Sequence, residues 1–262
     1  MVTDQVQTAA PVRLEVAAAT VADVKAALRD GLRDFTRRPA LSLLFGVFYA
    51  LFGAALIAGL VLSDQFWLVI AAAVGFPLVA PFLAAGLYEM SRRLKRGEPF
   101  TTRQIFGSVF GQQQREFGWI SFILLFVFWV WAYQVRLVLA LTLKYQGFRS
   151  VEHLFETLFT TGEGLTFLLI GSVIGAFLAT VIFSITVMTM PLLLDKQVDC
   201  VTAMITSVKT VRASPAVMLG WGAAVGALTL VAIVPLFLGV IVIFPVLGHA
   251  SWHLYERLVR EV

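Results

Sequence analysis

The sequence predicts an all-α, polytopic membrane protein with six transmembrane helices, amphipathic cytoplasmic helices and a parallel internal repeat. Three observations lead there. Of 262 residues, 59% are hydrophobic and only 14% charged, with mean hydropathy +0.88, whereas soluble chains carry about 25% charged residues. The apolar residues fall in blocks of around 20, enough to cross a hydrocarbon core roughly 30 Å thick. Lysine and arginine crowd into alternate connections, as the positive-inside rule requires.

Residues 1–20 read as a disordered tail without the basic-then-apolar pattern of a cleaved leader. In VADVKAALRDGLRDFTRRP, Val21, Val24, Leu28, Leu32 and Phe35 form one helical stripe with Lys25, Arg29, Arg33 and Arg37 off it. Thr20 and Asp23 open this helix as a capping box, and Pro39 marks the break before the first span. Spans are expected at about 40–63, 66–89, 117–141, 165–190, 216–233 and 235–254. A third short helix, capped by Thr101 and Gln104, is expected in 101–114. The last apolar run reads as one overlong helix or as two turning near Val234-Pro235. Proline removes a backbone donor there and suits the hairpin.

Six basic residues precede the first span, six lie in 90–116, three in 191–215 and two after the last span. Only Arg136, Lys144 and Arg149 fall on the other side, a partition of 17 to 3. It predicts a bacterial inner-membrane protein with cytoplasmic N- and C-termini. The basic helices either lie in the cytoplasmic interface, apolar side to lipid, or pack under the bundle.

Sliding the chain along itself until Asp23 falls on Asp199 also aligns Arg33 with Lys209, Pro39 with Pro215 and Gly46 with Gly222. A slightly smaller displacement brings the closing Leu87-Tyr88-Glu89 onto Leu254-Tyr255-Glu256, so the second hairpin is the shorter one. The expected organisation is a unit at 21–95, a middle hairpin with short interfacial helices at 96–195, and a second unit at 196–262. Both units begin in the cytoplasm, so they are parallel repeats. Each closing span carries Phe-Pro and ends in Leu-Tyr-Glu-x-x-x-Arg, with tyrosine as interface anchor and arginine toward headgroups.

His249 and His253 stand one helical turn apart. They suit a metal pair or one axial haem ligand, or polar residues at the interface beside Trp252 and Tyr255. No HExxH and no second histidine pair completes a metal set, which favours the second reading. Arg136 shares a face with Phe126, Trp129 and Tyr133. It offers cation–π contact to an anion or quinone, or simply snorkels from the outer end of its span, the plainer reading. Glu89, beside Tyr88, and Glu256, beside Tyr255, suit proton relay less well than solvated pairing with arginines a turn later. Glu152, Glu156 and Glu163 with His153 form no recognised ion site. Cys200, the one cysteine, excludes an internal disulfide and any CxxC motif. No nucleotide, triad or zinc pattern is present, so no cofactor is expected.

GFPLVAPFLAAGLYEMSRRL, MPLLLDKQVDCVTAMITSVKTVRASP and FPVLGHASWHLYERL, in that order, resemble a proteobacterial family of predicted integral membrane proteins of unknown function. The resemblance implies an inner-membrane location and supplies no catalytic residues. The functional expectation is a non-enzymatic membrane protein in the lipid bilayer, an accessory or assembly subunit of a larger complex such as a respiratory one. The alternative is a small-solute or lipid transporter or channel, with a membrane enzyme third. Nucleic acid is not an expected partner.

Overall fold

The computed structural model describes residues 13–62, 84–111, 114–143 and 151–262. In chain order the elements are β1 (Leu14–Val16), α1 (Val21–Arg37), α2 (Pro39–Leu62), α3 (Ala85–Arg96), α4 (Thr102–Gly111), α5 (Gln114–Leu143), α6 (Val151–Thr160), α7 (Gly162–Thr186), α8 (Thr189–Asp195), α9 (Cys200–Ala213), α10 (Pro215–Ile233), α11 (Val240–Leu258) and β2 (Val259–Glu261). The protein is therefore an all-α membrane protein, with one small strand pair among the described residues. Four stretches among the described residues are long and apolar enough to cross a membrane: Pro39–Gly59, Phe122–Leu143, Gly162–Asp195 and Pro215–Ile233. They coincide with the first, third, fourth and fifth expected spans. The expected span 66–89 lies mostly outside the described residues.

The last apolar run forms two helices. α10 stops at Ile233, residues 234–239 turn, and α11 starts at Val240. Leu236 (φ 51°) and Phe237 (φ 66°) take the left-handed conformation that side chains normally avoid. The reversal closes tightly, since a Cβ at Gly239 would stand 2.7 Å from the Cα of Ala232. α11 carries two histidines, Glu256 and Arg257 in its second half, which keeps it out of the apolar set. That half is instead well enclosed, with Trp252, Leu254, Tyr255 and Leu258 buried.

α1 and α2 run antiparallel to α11 along its length. Small residues set the distance: a Cβ on Gly31 would stand 2.5 Å from the backbone nitrogen of Ala250, and one on Gly46 would overlap the backbone of Ile241. Close backbone approach of this kind drives helix association in lipid, where tails are as apolar as leucine. α1 meets α11 through Ala27, Gly31 and Asp34, whereas Val21 (58% exposed) and Leu32 (52%) of the apolar stripe remain outside. The small-residue face makes the closest approach to the partner helix, and the half-buried Val24 and Leu28 of the adjoining stripe pack against the same core.

Local signals hold. Thr20 and Asp23 make both bonds of the capping box. Thr101 and Gln104 do the same before α4, and Asp199 caps α9 through the Thr202 amide. Each of α1 and α9 ends on one residue out of helical geometry, Arg38 and Ser214. A proline opens the next helix in both places, and the residue before a proline is pushed away from the helical region. One expectation is corrected at the N-terminus. Leu14–Val16 are not tail but a strand, paired antiparallel with Val259–Glu261, because the chain end after α11 supplies an open edge beside them.

Candidate functional site

Where α1, α2, α3 and α11 converge, the sequence buries ionisable groups. His249 (0% exposed) and His253 (6%) are core residues, not interface residues. His249 sits between two hydroxyls: Ser42 Oγ of α2 lies 3.1 Å from Nε2, and Ser91 Oγ of α3 lies 2.7 Å from Nδ1. His253 turns to carboxylates, with Asp34 Oδ2 of α1 at 2.7 Å from Nε2 and Glu256 Oε2 at 3.6 Å from Nδ1. Two carboxylates facing two ring nitrogens are best met by an imidazolium, the only form with two N–H donors.

The hydrogen bonds form one chain with a consistent direction. With His249 assigned the neutral tautomer protonated at Nδ1, Ser42 donates to Nε2 and Nδ1–H donates to Ser91. Ser91 then donates to Asp34, which also accepts from His253. Burial pushes the Asp34 carboxyl up. The hydrogen bond and charge of His253, together with the Ser91 bond, outweigh it and hold the group below its ordinary value. Lys95 of α3 closes the far end on Glu256 at 2.9 Å. Beside it Arg257 pairs with Asp30 and donates to the His253 carbonyl at 2.8 Å.

A second cluster joins α3 to α8. Glu89 bonds Arg92 (3.0 Å) and Arg93, its neighbours at three and four residues. The expected pairing is there but the expected solvation is not, since only 3% of the Glu89 side chain is exposed. Glu256 pairs with Lys95 and His253 in place of an arginine a turn later. Asp195 gathers Arg92 (3.6 Å), Arg96 (3.3 Å) and the Tyr255 hydroxyl (3.2 Å). Tyr88 and Tyr255 are thus core residues rather than headgroup anchors. The rings of both lie against Trp252, with centroids at 6.5 and 5.4 Å.

Arg136 stands apart from both clusters, exposed on α5 one turn beyond Tyr133. Trp129 and Tyr133 form a tilted ring pair at 5.1 Å on the same face.

Sequence reasoning missed Asp34, Asp30, Asp195, Ser42 and Ser91. Asp34 alone left a trace, because it continues the Ala27–Gly31 small-residue face that borders the apolar stripe. Both ring nitrogens of each histidine face other side chains, and among the described residues no group of three His, Cys, Asp or Glu is placed to hold a metal ion.

Residues 68–195 match the model of a family described as predicted integral membrane protein (DUF2189). Neither a curated protein nor a solved structure matches the chain. The matched segment contains Glu89, Ser91, Arg92 and Asp195, while Asp34, Ser42 and both histidines lie beyond it.

Proposed function

Because residues 68–195 mark the chain as an integral membrane protein of this family, we propose a non-enzymatic accessory or assembly subunit of a larger bacterial inner-membrane complex. It has six spans, both termini are cytoplasmic, and two parallel repeat units flank a middle hairpin. The observation that carries this reading is the mutual pairing of the buried ionisable groups. His249 and His253 bond serines and carboxylates, and Glu89 and Asp195 bond arginines, a use that fixes helices against one another. The pre-proline breaks at Arg38 and Ser214 support the repeat, and the 17-to-3 charge partition supports the orientation.

Two experiments test it. Gentle native purification with mass spectrometry is expected to recover at least one other membrane protein in fixed ratio. A chain that elutes alone from several mild detergents would overturn the subunit reading. For orientation, single cysteines go into a Cys200→Ser background. Glu156→Cys should react with an impermeant thiol reagent added outside intact cells, and Lys209→Cys only after lysis. The reverse pattern would overturn the topology.

A second reading, a small-solute transporter, is favoured by one specific feature, a cavity shared by both repeat units.

A further inference from the structure

α2, α3, α10 and α11 line a half-open cavity of about 100 Å³ beside the histidine network. Its walls are mostly apolar, with Leu87, Phe244 and Leu247 among them, and no charged side chain is among its described lining residues. Three hydroxyls of the lining are already engaged: Thr229 donates to the Val225 carbonyl, and Tyr88 and Ser251 bond each other. Tyr49 is the exception. It is 1% exposed, lines the cavity, and its hydroxyl has no hydrogen-bond partner among the described residues. A buried hydroxyl without an acceptor is costly and rare in native proteins, so an acceptor is called for.

The cavity also falls on the boundary between the repeat units. The displacement that carries Asp23 onto Asp199 also carries Tyr49 onto Val225. The one that carries Tyr88 onto Tyr255 takes Ala84 to Ser251, and all four of these wall positions line the cavity. Repeat interfaces are where membrane transporters place their solutes. This second argument rests on the two-unit architecture proposed above, whereas the cavity and the Tyr49 hydroxyl stand without it.

We propose that the cavity is a binding site for a small uncharged solute whose oxygen accepts a hydrogen bond from Tyr49. A cavity of about 150 Å³ takes benzene and one water occupies about 30 Å³, so about 100 Å³ suits a solute of roughly four or five heavy atoms. The absence of charge among the described lining residues disfavours an ion as a well-held guest.

The test uses the full chain in nanodiscs, labelled with 3-fluorotyrosine at its five tyrosines and observed by fluorine NMR. Loss of one resonance in Tyr49→Phe assigns Tyr49. Acetone and isobutene serve as probes of equal size, of which only acetone accepts a hydrogen bond. Acetone should shift the Tyr49 resonance saturably, with isobutene at least tenfold weaker. Filling the cavity by Val225→Phe should abolish the response while the other four resonances hold their positions, which separates loss of the site from loss of the fold. In Tyr49→Phe the Tyr88 resonance should report acetone binding at least tenfold weaker. Equal responses to the two probes, no saturation, or a response that survives Val225→Phe would overturn the proposal. So would a cavity that answers only to exchange of water for heavy water. A failure here leaves the cysteine-labelling result untouched, so site and architecture fail separately.

Discussion

Gly46→Val is expected to abolish recovery of folded protein, and Gly46→Ala to destabilise it by about 1–3 kcal/mol or more. A Cβ at this position would stand 2.6 Å from the carbonyl carbon and 2.7 Å from the Cα of Ile241. Those are backbone atoms of α11, which cannot rotate away as a side chain can, so α2 and α11 must separate. Separation costs dispersion contacts along the whole seam, the main attraction between helices in lipid. Gly220 of α10 is the matched control, since a Cβ there meets nothing within 4 Å among the described residues. Gly220→Ala should be neutral or stabilising by up to about 1 kcal/mol, because alanine is the better helix former. Thermal midpoints in one detergent, with the monodisperse fraction on gel filtration, check both. Equal responses at the two glycines would remove close packing as the organising contact.

That seam marks where sequence reading stops. Four spans were legible because each is a contiguous apolar block, and hydropathy is a property of composition. The capping pairs Thr20–Asp23 and Thr101–Gln104 were legible because partner and cap lie three residues apart. The hairpin was legible from Pro235, although the turn runs over 234–239. Partner choice over long separations was not. Asp34 and His253 are 219 residues apart, and nothing in either neighbourhood names the other. On α1, periodicity picked out the apolar stripe alone. The close approach of Gly31 to Ala250 turns the contact toward the small-residue edge of that stripe, and so carries Asp34 inward. Tyr88, Tyr255 and Glu89 were assigned to the interface because they end apolar blocks. Their burial comes from α8 and α11 packing over that end, a tertiary fact.

The buried pair is expected to show the second large effect. Asp34→Ala removes one carboxylate from an imidazolium that is 7% exposed and leaves that charge with Glu256 alone, at 3.6 Å. Breaking a buried pair by deleting one partner costs about 3–5 kcal/mol, roughly 6–20 °C in thermal midpoint for a chain of this size. Asp34→Asn/His253→Gln keeps a hydrogen-bonding couple without charge, so it should recover most of the loss. If the double variant is as weak as Asp34→Ala, the pair is not what holds α1 to α11. Acid supplies a second readout. The folded protein holds the Asp34 carboxyl below its ordinary value, burial opposing and the His253 bond and charge prevailing. Asp30 follows the same pattern, with burial opposed by Arg257. A lowered folded value means that the unfolded chain takes up the proton first. The stabilisation is therefore complete above the unfolded aspartate value of about 3.9, and is lost as pH falls through the folded value. Wild-type midpoints should fall steeply below about pH 4. The double variant, lacking the Asp34 carboxylate, should fall less, so the two curves converge in acid. Parallel curves down to pH 3 would mean that Asp34 contributes no proton-linked stability, and that the His253 contact is one of shape alone.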